Sequence, residues 1–272
     1  MPNSFDLQAV TAAVANTAFA GKIHHFASVG STNALAVEAA QSDTPLGSVW
    51  IADEQTAGRG RSNHGWHSVA GDGLYLSVLL RPRITLANAL WLSLATGLAA
   101  QAAIRAVTGL IPDIRWPNDL LIDDKKCGGI LVETSSLASL PESPAMLRYA
   151  VIGVGINVNH RIFPGKLETL ATSLRRESGK LWPRERIFVE FLQALMKEVA
   201  LLEVELRGAL TSPALLERFA AASSWIRGKR VRIEDDGGYT GVTDGLDPRG
   251  FLRVAGDDGV LHTILSGGVR AQ

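Results

Sequence analysis

From Leu86 to Val107 a single side chain, Arg105, carries charge. A helix over this stretch has no polar face to turn to water, so it must rest on a sheet on one side and be covered on the other. The chain supplies strands for such a sheet on both sides of it. Ile23–Val29, Ser48–Asp53 and the buried-looking run Leu74–Leu80 precede the helix. Ile114–Trp116, Leu120–Ile122, Lys125–Glu133 and Tyr149–Val158 follow it. A short helix is expected near the N-terminus from Leu7, Val10, Val14 and Phe19, and another after Ser31 or Thr32, either of which is a suitable N-cap. Arg184–Leu206 and Ala214–Ser224 read as amphipathic helices, with the basic residues of the first on a solvated face. Residues 134–146 read as a linker and Asn159–Trp182 as irregular. From Gly228 the pattern changes to short strand-like runs, Arg230–Glu234, Tyr239–Thr243, Phe251–Val254 and Val260–Leu265, separated by Gly- and Asp-rich turns. That spacing predicts a small antiparallel barrel. The expected architecture is α+β: residues 1–226 form a mixed or antiparallel sheet flanked by helices, and residues 227–272 the small β-barrel.

Composition narrows the function classes. A hydrophobic fraction of 46% and a charged fraction of 20% over 272 residues suit an ordinary globular chain with a sizeable core. Lys plus Arg balances Asp plus Glu, so no global charge excess argues for nucleic acid. The one cysteine, Cys127, excludes an internal disulfide framework and suits a reducing cytoplasm. No apolar run free of charge and glycine is long enough to span a bilayer, the N-terminus lacks a signal-peptide layout, and no His/Cys/Asp/Glu cluster has metal-ligand spacing. The expectation is a cytoplasmic protein without membrane, DNA or dedicated metal.

The chemistry is concentrated in a few segments. Gln55-Thr56-Ala57-Gly58-Arg59-Gly60-Arg61-Ser62-Asn63-His64-Gly65-Trp66 alternates two glycines with two arginines after a strand. Glycines let backbone curl around a ligand, and guanidinium groups grip carboxylates and phosphates. By itself this reads equally as a basic turn. Arg115-Trp116-Pro117-Asn118-Asp119 is followed closely by Lys125-Lys126-Cys127-Gly128-Gly129, and a hairpin brings Asn118 and Asp119 toward the lysines. A lysine there can offset charge developing on a reacting phosphorus, and paired glycines let a ligand lie against a strand; turn chemistry explains the same Asn and Asp. Gly153-Val154-Gly155-Ile156-Asn157 lacks the third glycine of a dinucleotide fingerprint, and no Rossmann unit follows. Asn157 could read a base edge or serve as a structural amide. Ser31-Thr32-Asn33 offers short polar groups at a helix start, either a head-group site or a plain cap. His64 and His67 flank Trp66 without a triad partner, and Cys127 reads as a small apolar strand residue.

Taken in order and spacing, these five segments, with Ala171-Thr172-Ser173-Leu174, resemble the biotin protein ligases. The resemblance is close over residues 23–175 and compatible in layout beyond. It implies a catalytic domain resembling class II synthetases, followed by an SH3-like barrel. It also implies a two-step reaction: biotin and Mg-ATP give biotinyl-5′-AMP and pyrophosphate, and a lysine of a biotin carboxyl carrier domain, such as that of acetyl-CoA carboxylase, then takes the biotinyl group. The alternative is a lipoate- or octanoate-type acyl ligase or transferase on the same fold.

By the same resemblance, Ser31, Thr32, Asn33 and Gln55 face the ureido ring of biotin, Gly128 and Gly129 lie beside it, and Trp66 walls the alkyl chain. Gly58, Arg59, Gly60 and Arg61 form the lid, with Arg59 and Lys126 offsetting the repulsion between carboxylate and phosphate. Arg59, Arg61 and Lys126 contact ATP, Asn118 serves the ATP-metal side and Asn157 the adenine side. Asp119 orients the incoming lysine or takes its proton. Magnesium arrives with ATP. The family loop usually carries another basic residue where Ser62-Asn63-His64-Gly65 stands, and the short Gly267-Gly268-Val269-Arg270 makes an ATP contact by Arg270 doubtful. About 22 residues precede Ile23, too few for the winged helix-turn-helix of about 60 residues that some members carry, so no operator binding is expected. An exposed sheet edge allows a monomer or a weak homodimer.

Overall fold

A computed structural model of the chain describes residues 5–61, 64–137, 144–208, 214–234 and 238–272. The elements are α1 (Leu7–Ala13), β1 (Ile23–Val29), α2 (Thr32–Ala39), β2 (Val49–Gln55), β3 (Gly73–Leu80), α3 (Ala89–Thr108), β4 (Asp113–Arg115), β5 (Asp119–Ile122), β6 (Lys125–Ser136) and β7 (Leu147–Asn157). Then come α4 (Leu167–Leu170), α5 (Leu174–Ser178), α6 (Arg184–Leu206), α7 (Leu215–Ala221), β8 (Arg227–Ile233), β9 (Tyr239–Leu246), β10 (Leu252–Gly256), β11 (Leu261–Ile264) and β12 (Val269–Ala271).

The uncharged stretch behaves as its composition requires. A 3-10 turn, Leu86–Asn88, leads into α3, which ends at Gly109 with φ 77°, a left-handed cap that glycine adopts without strain. Leu86–Thr108 has the length and hydropathy of a membrane span, but 67% of its most apolar 18-residue window is buried in the protein. One side of α3 meets the sheet and the other meets α6, whose stripe of Ile187, Phe188, Phe191, Leu192, Leu195, Val199 and Leu202 recurs at helical spacing.

The large sheet has the order β1-β2-β3-β7-β6-β5-β4, with only the β1–β2 pair parallel. Alternation sorts its two faces. Leu74, Leu76 and Val78 of β3 and Ile152, Val154 and Ile156 of β7 join the main core under α3. The intervening residues face the α2 side, where Leu79 and Val151 pack with Trp50, Ala36 and Ala40. Along that face the register aligns Ser77 with Gly153 and Leu131, and Tyr75 with Gly155 and Gly129. The second sheet is antiparallel, order β11-β10-β9-β8-β12. Indole N–H groups tie its β9–β10 turn to the first: Trp91 Nε1 donates to Arg249 O (2.8 Å) and Trp116 Nε1 to Gly250 O (2.9 Å).

Four expectations need correction. β6 continues to Ser136, because its last residues still pair with β7, so the linker begins later than residue 134; residues 138–143 lie outside the described part. The stretch 159–182 contains two short helices, α4 and α5, the latter capped by Ser173, whose Oγ accepts from Arg176 N. The C-terminal sheet gains a fifth strand, β12, which pairs with β8. Arg184 is not on a solvated face: its side chain is 4% exposed, paired with Asp53 at 2.8 Å, and it donates to Gly73 O.

Candidate active site

Three glycines make the floor of the site. A Cβ on Gly155 would lie 2.5 Å from the Trp66 indole, one on Gly129 3.0 Å from it, and one on Gly153 2.2 Å from Asn33 Oδ1. No side chain fits at these positions, so Trp66 lies flat on β6 and β7 while Asn33 reaches over β7. The indole N–H of Trp66 is buried and lacks a hydrogen-bond partner among the described residues.

The α2 start builds one wall. Ser31 Oγ caps the helix by accepting from Ala34 N, and Ser31, Thr32 and Asn33 are all buried. Gln55, at the end of β2, turns its Oε1 toward Thr32 N (2.8 Å) and Thr32 Oγ1 (3.1 Å), while its Nε2 donates to Ser68 Oγ. Ser77 donates to Asn33 Oδ1 at 2.7 Å. Asn33 Nδ2 donates to Glu133 Oε2 at 2.6 Å. Ser77 and Glu133 were not singled out from the sequence. The signal existed for Ser77, a hydroxyl inside the apolar run Leu74–Leu80, since a buried hydroxyl needs a partner. Glu133 gives a similar signal, a carboxylate directly after the apolar run Ile130-Leu131-Val132.

The opposite wall is charged. Asp119 at the start of β5 meets Lys126 Nζ at 2.5 Å and Arg115 Nη2 at 2.6 Å. Burial raises the Asp119 pKa, but Lys126 and Arg115 outweigh it, and the carboxyl is held below its ordinary value. Lys126 Nζ also stands 5.4 Å from the Trp66 ring centroid. The backbone behind Lys126 is braced: Thr172 N donates to Lys126 O, and Asn157 Nδ2 donates to Lys126 O and Thr172 O. The amide nitrogen of Asn157 thus donates to backbone carbonyls on both sides of the Lys126–Thr172 contact. Cys127 points into the core, where burial pushes its thiol pKa up.

The Gly58–Trp66 loop covers this space. Gly60 N donates to His64 O, and Trp66 N to Gly58 O, where a Cβ on Gly58 would sit 2.6 Å from Trp66 O. Arg59 pairs with Glu133 at 3.1 Å, and Arg61 Nη1 donates to Asn118 Oδ1 at 3.2 Å. Asn118 Nδ2 is held by Ile130 O. Gly267, between β11 and β12, packs on the Arg61 guanidinium, so the second sheet reaches the site there. Arg270 instead pairs with Glu234. Within the atypical tetrapeptide, His64 Nδ1 lies 3.0 Å from Arg61 O, while Ser62 and Asn63 lie outside the described residues.

Gln55, Ser31–Asn33, Arg59–Arg61, Trp66, Asn118, Lys126 and Gly129 therefore line one pocket. Gly58 is next to it, Gly128 lies beneath Leu120, and Asn157 stands behind it. The enclosed space is about 50 Å³, well below the roughly 300 Å³ where ligand pockets begin. A second cavity of about 480 Å³ shares Arg59, Gly60 and Arg61 and extends toward Ser93, Glu133 and Leu265. Ile130 and Leu131 of β6 also line both.

Comparison with known proteins identifies relatives of the same kind. The Biotin/lipoate A/B protein ligase family matches residues 25–157, and the biotin protein ligase C-terminal domain matches residues 227–269. The chain is 34% identical over 235 residues to the bifunctional ligase/repressor BirA of Bacillus spizizenii, covering 85% of this chain and 69% of that protein. It is 34% identical over 249 residues to the biotin–[acetyl-CoA-carboxylase] ligase of Mycobacterium tuberculosis, covering 89% of this chain and 85% of that one. Among solved structures, the biotin protein ligase from Aquifex aeolicus in complex with biotin and ATP superposes with a TM-score of 0.74 at 27% identity, over 93% of this chain and 99% of that one.

Proposed function

The chain belongs to the biotin protein ligase family, and we propose that its site activates biotin with Mg-ATP and passes the biotinyl group to a lysine of a biotin carboxyl carrier domain. The observation that carries this reading is the arrangement of the pocket itself. A wall of short polar groups, Ser31, Thr32, Asn33 and Gln55, shares the pocket and its glycine floor with Arg59, Arg61 and Lys126, the last held by Asp119. A ring with urea-like donors and acceptors suits the first wall, and a carboxylate meeting a phosphate suits the second.

In the first step a carboxylate oxygen of biotin bonds to the α-phosphorus of ATP, the bond to the bridging oxygen breaks, and pyrophosphate leaves. Both reactants are anionic, and their repulsion is large in a site shut off from water. Arg59 and Lys126 offset it, with Arg61 and Asn118 on the phosphate side. Two of these groups are held in place by side chains of the same wall, Lys126 by Asp119 and Arg61 by Asn118, which lowers the cost of orienting them. Among the described residues no group of three or more His, Cys, Asp or Glu side chains could hold a metal; magnesium would arrive on the ATP phosphates. Asn157 supports Lys126 and Thr172 from behind.

In the second step the carrier lysine amine attacks the acyl carbon, AMP leaves with the bonding pair, and the nitrogen loses a proton. Asp119 stays ionised between Lys126 and Arg115, so it orients the amine as an acceptor and is a weak base. The Gly58–Trp66 loop lies over the reacting centre and keeps water from the mixed anhydride. The carrier is proposed to be that of acetyl-CoA carboxylase, met by a monomer or weak homodimer in the cytoplasm. Residues 1–226 and 227–272 are proposed as the two domains.

The test uses purified protein, biotin, Mg-ATP and a carrier domain. Biotin-dependent pyrophosphate release without carrier, and label transfer with it, is the expected result. Release with lipoate but not with biotin would move the assignment to a lipoate-type ligase.

A further inference from the structure

The carboxylate of Glu133 faces two ways. Its Oε2 accepts from Asn33 Nδ2 at 2.6 Å, and Asn33 is fixed in turn by Ser77 at 2.7 Å. Thr32 donates its hydroxyl to Ser77 (2.9 Å) and its backbone N–H to Gln55 Oε1 (2.8 Å), and Gln55 Nε2 donates to Ser68, which donates to Trp66 O. One hydrogen-bonded chain thus crosses the whole pocket beneath the loop, and Glu133 is its only charged member. Its Oε1 holds Arg59 Nη2 at 3.1 Å. The two ends of this pair differ in freedom. Glu133 stands on a central strand and is pinned by Asn33, whereas the Arg59 side chain is 47% exposed on a loop. When the pair breaks, Arg59 is the partner that moves.

We propose that Glu133 is a positioning residue for Arg59, holding the guanidinium as an internal counter-ion in the ligand-free protein and yielding it to the carboxylate of the incoming ligand. This rests on the ligase reading, in which that carboxylate belongs to biotin. Glu133 then sets affinity for the charge of the ligand and not for its ring, because an anionic ligand must displace an anion already in place. A half-exposed pair of this kind is worth little in isolation, so the effect is expected to be moderate and selective.

The experiment compares binding of biotin and of its neutral carboxamide by calorimetry, without ATP, in wild type and Glu133→Gln. Glutamine keeps an acceptor for Asn33 and removes the counter-ion. Biotin is expected to bind about two- to fivefold tighter in the variant, while the carboxamide keeps its affinity, so the ratio of the two dissociation constants rises by that factor. A purely structural role would move both ligands together, and an unchanged ratio overturns the proposal. If Glu133→Gln shows no cooperative thermal transition, Glu133→Asp replaces it. One methylene shorter, it loses its reach to Arg59 and is expected to shift the ratio in the same direction; no shift overturns the proposal. Wild-type protein that binds neither ligand would sink the ligase reading and this inference with it, an outcome distinct from an unchanged ratio.

Discussion

His160 predicts an acid sensitivity that can be worked out atom by atom. It follows β7, is fully buried, and stacks on Phe163 with centroids 5.2 Å apart. The Tyr75 hydroxyl donates to Val69 O, so at 3.1 Å it accepts from His160 Nε2–H. The other nitrogen, Nδ1, is buried with no partner among the described residues. Protonation would place a charge and an unpaired N–H in the core. Burial, and secondarily the nearby His67, lower the pKa from 6.5 to about 4. The folded pKa thus lies below the unfolded one. Stability from this group is complete above the unfolded value and is lost as pH falls toward the folded value, because only the unfolded chain takes up the proton in that window. Near pH 5 the unfolded imidazole is about one and a half pH units past its midpoint, which corresponds to a loss of roughly 2 kcal/mol relative to pH 7.5. His160→Gln keeps a donor for the Tyr75 oxygen and cannot titrate. Urea unfolding of both proteins near pH 7.5 and near pH 5 isolates the effect, since the carboxylates common to both cancel. The wild type should lose about 2 kcal/mol more than the variant. Equal losses would refute the buried neutral imidazole.

The remaining expectations concern the site. Lys126→Ala should slow biotin-dependent pyrophosphate release by about 10²-fold or more, and a full adenylation rate would remove Lys126 from the chemistry. Arg59→Ala should weaken biotin binding and let biotinyl-AMP escape, seen as adenylate in the filtrate after rapid separation; full retention would contradict the role of the loop arginine. Gly155→Ala places a methyl group 2.5 Å from the Trp66 indole, so the ring must lift off its floor. Unfolding in urea should show a loss on the order of 1–3 kcal/mol, the usual penalty for overpacking, and unchanged stability would show that the indole does not rest on Gly155.

These expectations differ in how far the sequence alone could have produced them. α6 was legible because its apolar residues recur at helical spacing, whereas α3 and β3 were legible as unbroken apolar runs of helix and strand length. The charged segments were legible as separate motifs, since Gly-Arg-Gly-Arg and Trp-Pro-Asn-Asp are contiguous. Pairings between them were only partly so. The hairpin that seats Asp119 on Lys126 spans a few residues and could be foreseen, whereas Glu133 meets Arg59 across 74 residues and Asn33 across 100. Register between β3, β7 and β6 creates those meetings, and register is a property of the assembled sheet. The same holds for the glycines. In sequence, Gly129, Gly153 and Gly155 read as places where a ligand could approach a strand. In the fold two of them already carry an occupant, the indole of Trp66. The glycines therefore make room for a side chain of the chain itself as well as for any ligand. The Trp66 indole N–H is buried without a hydrogen-bond partner among the described residues, and the pocket that the ring lines is small, so this surface is set by what sheet register brings beneath the ring and not by any one motif.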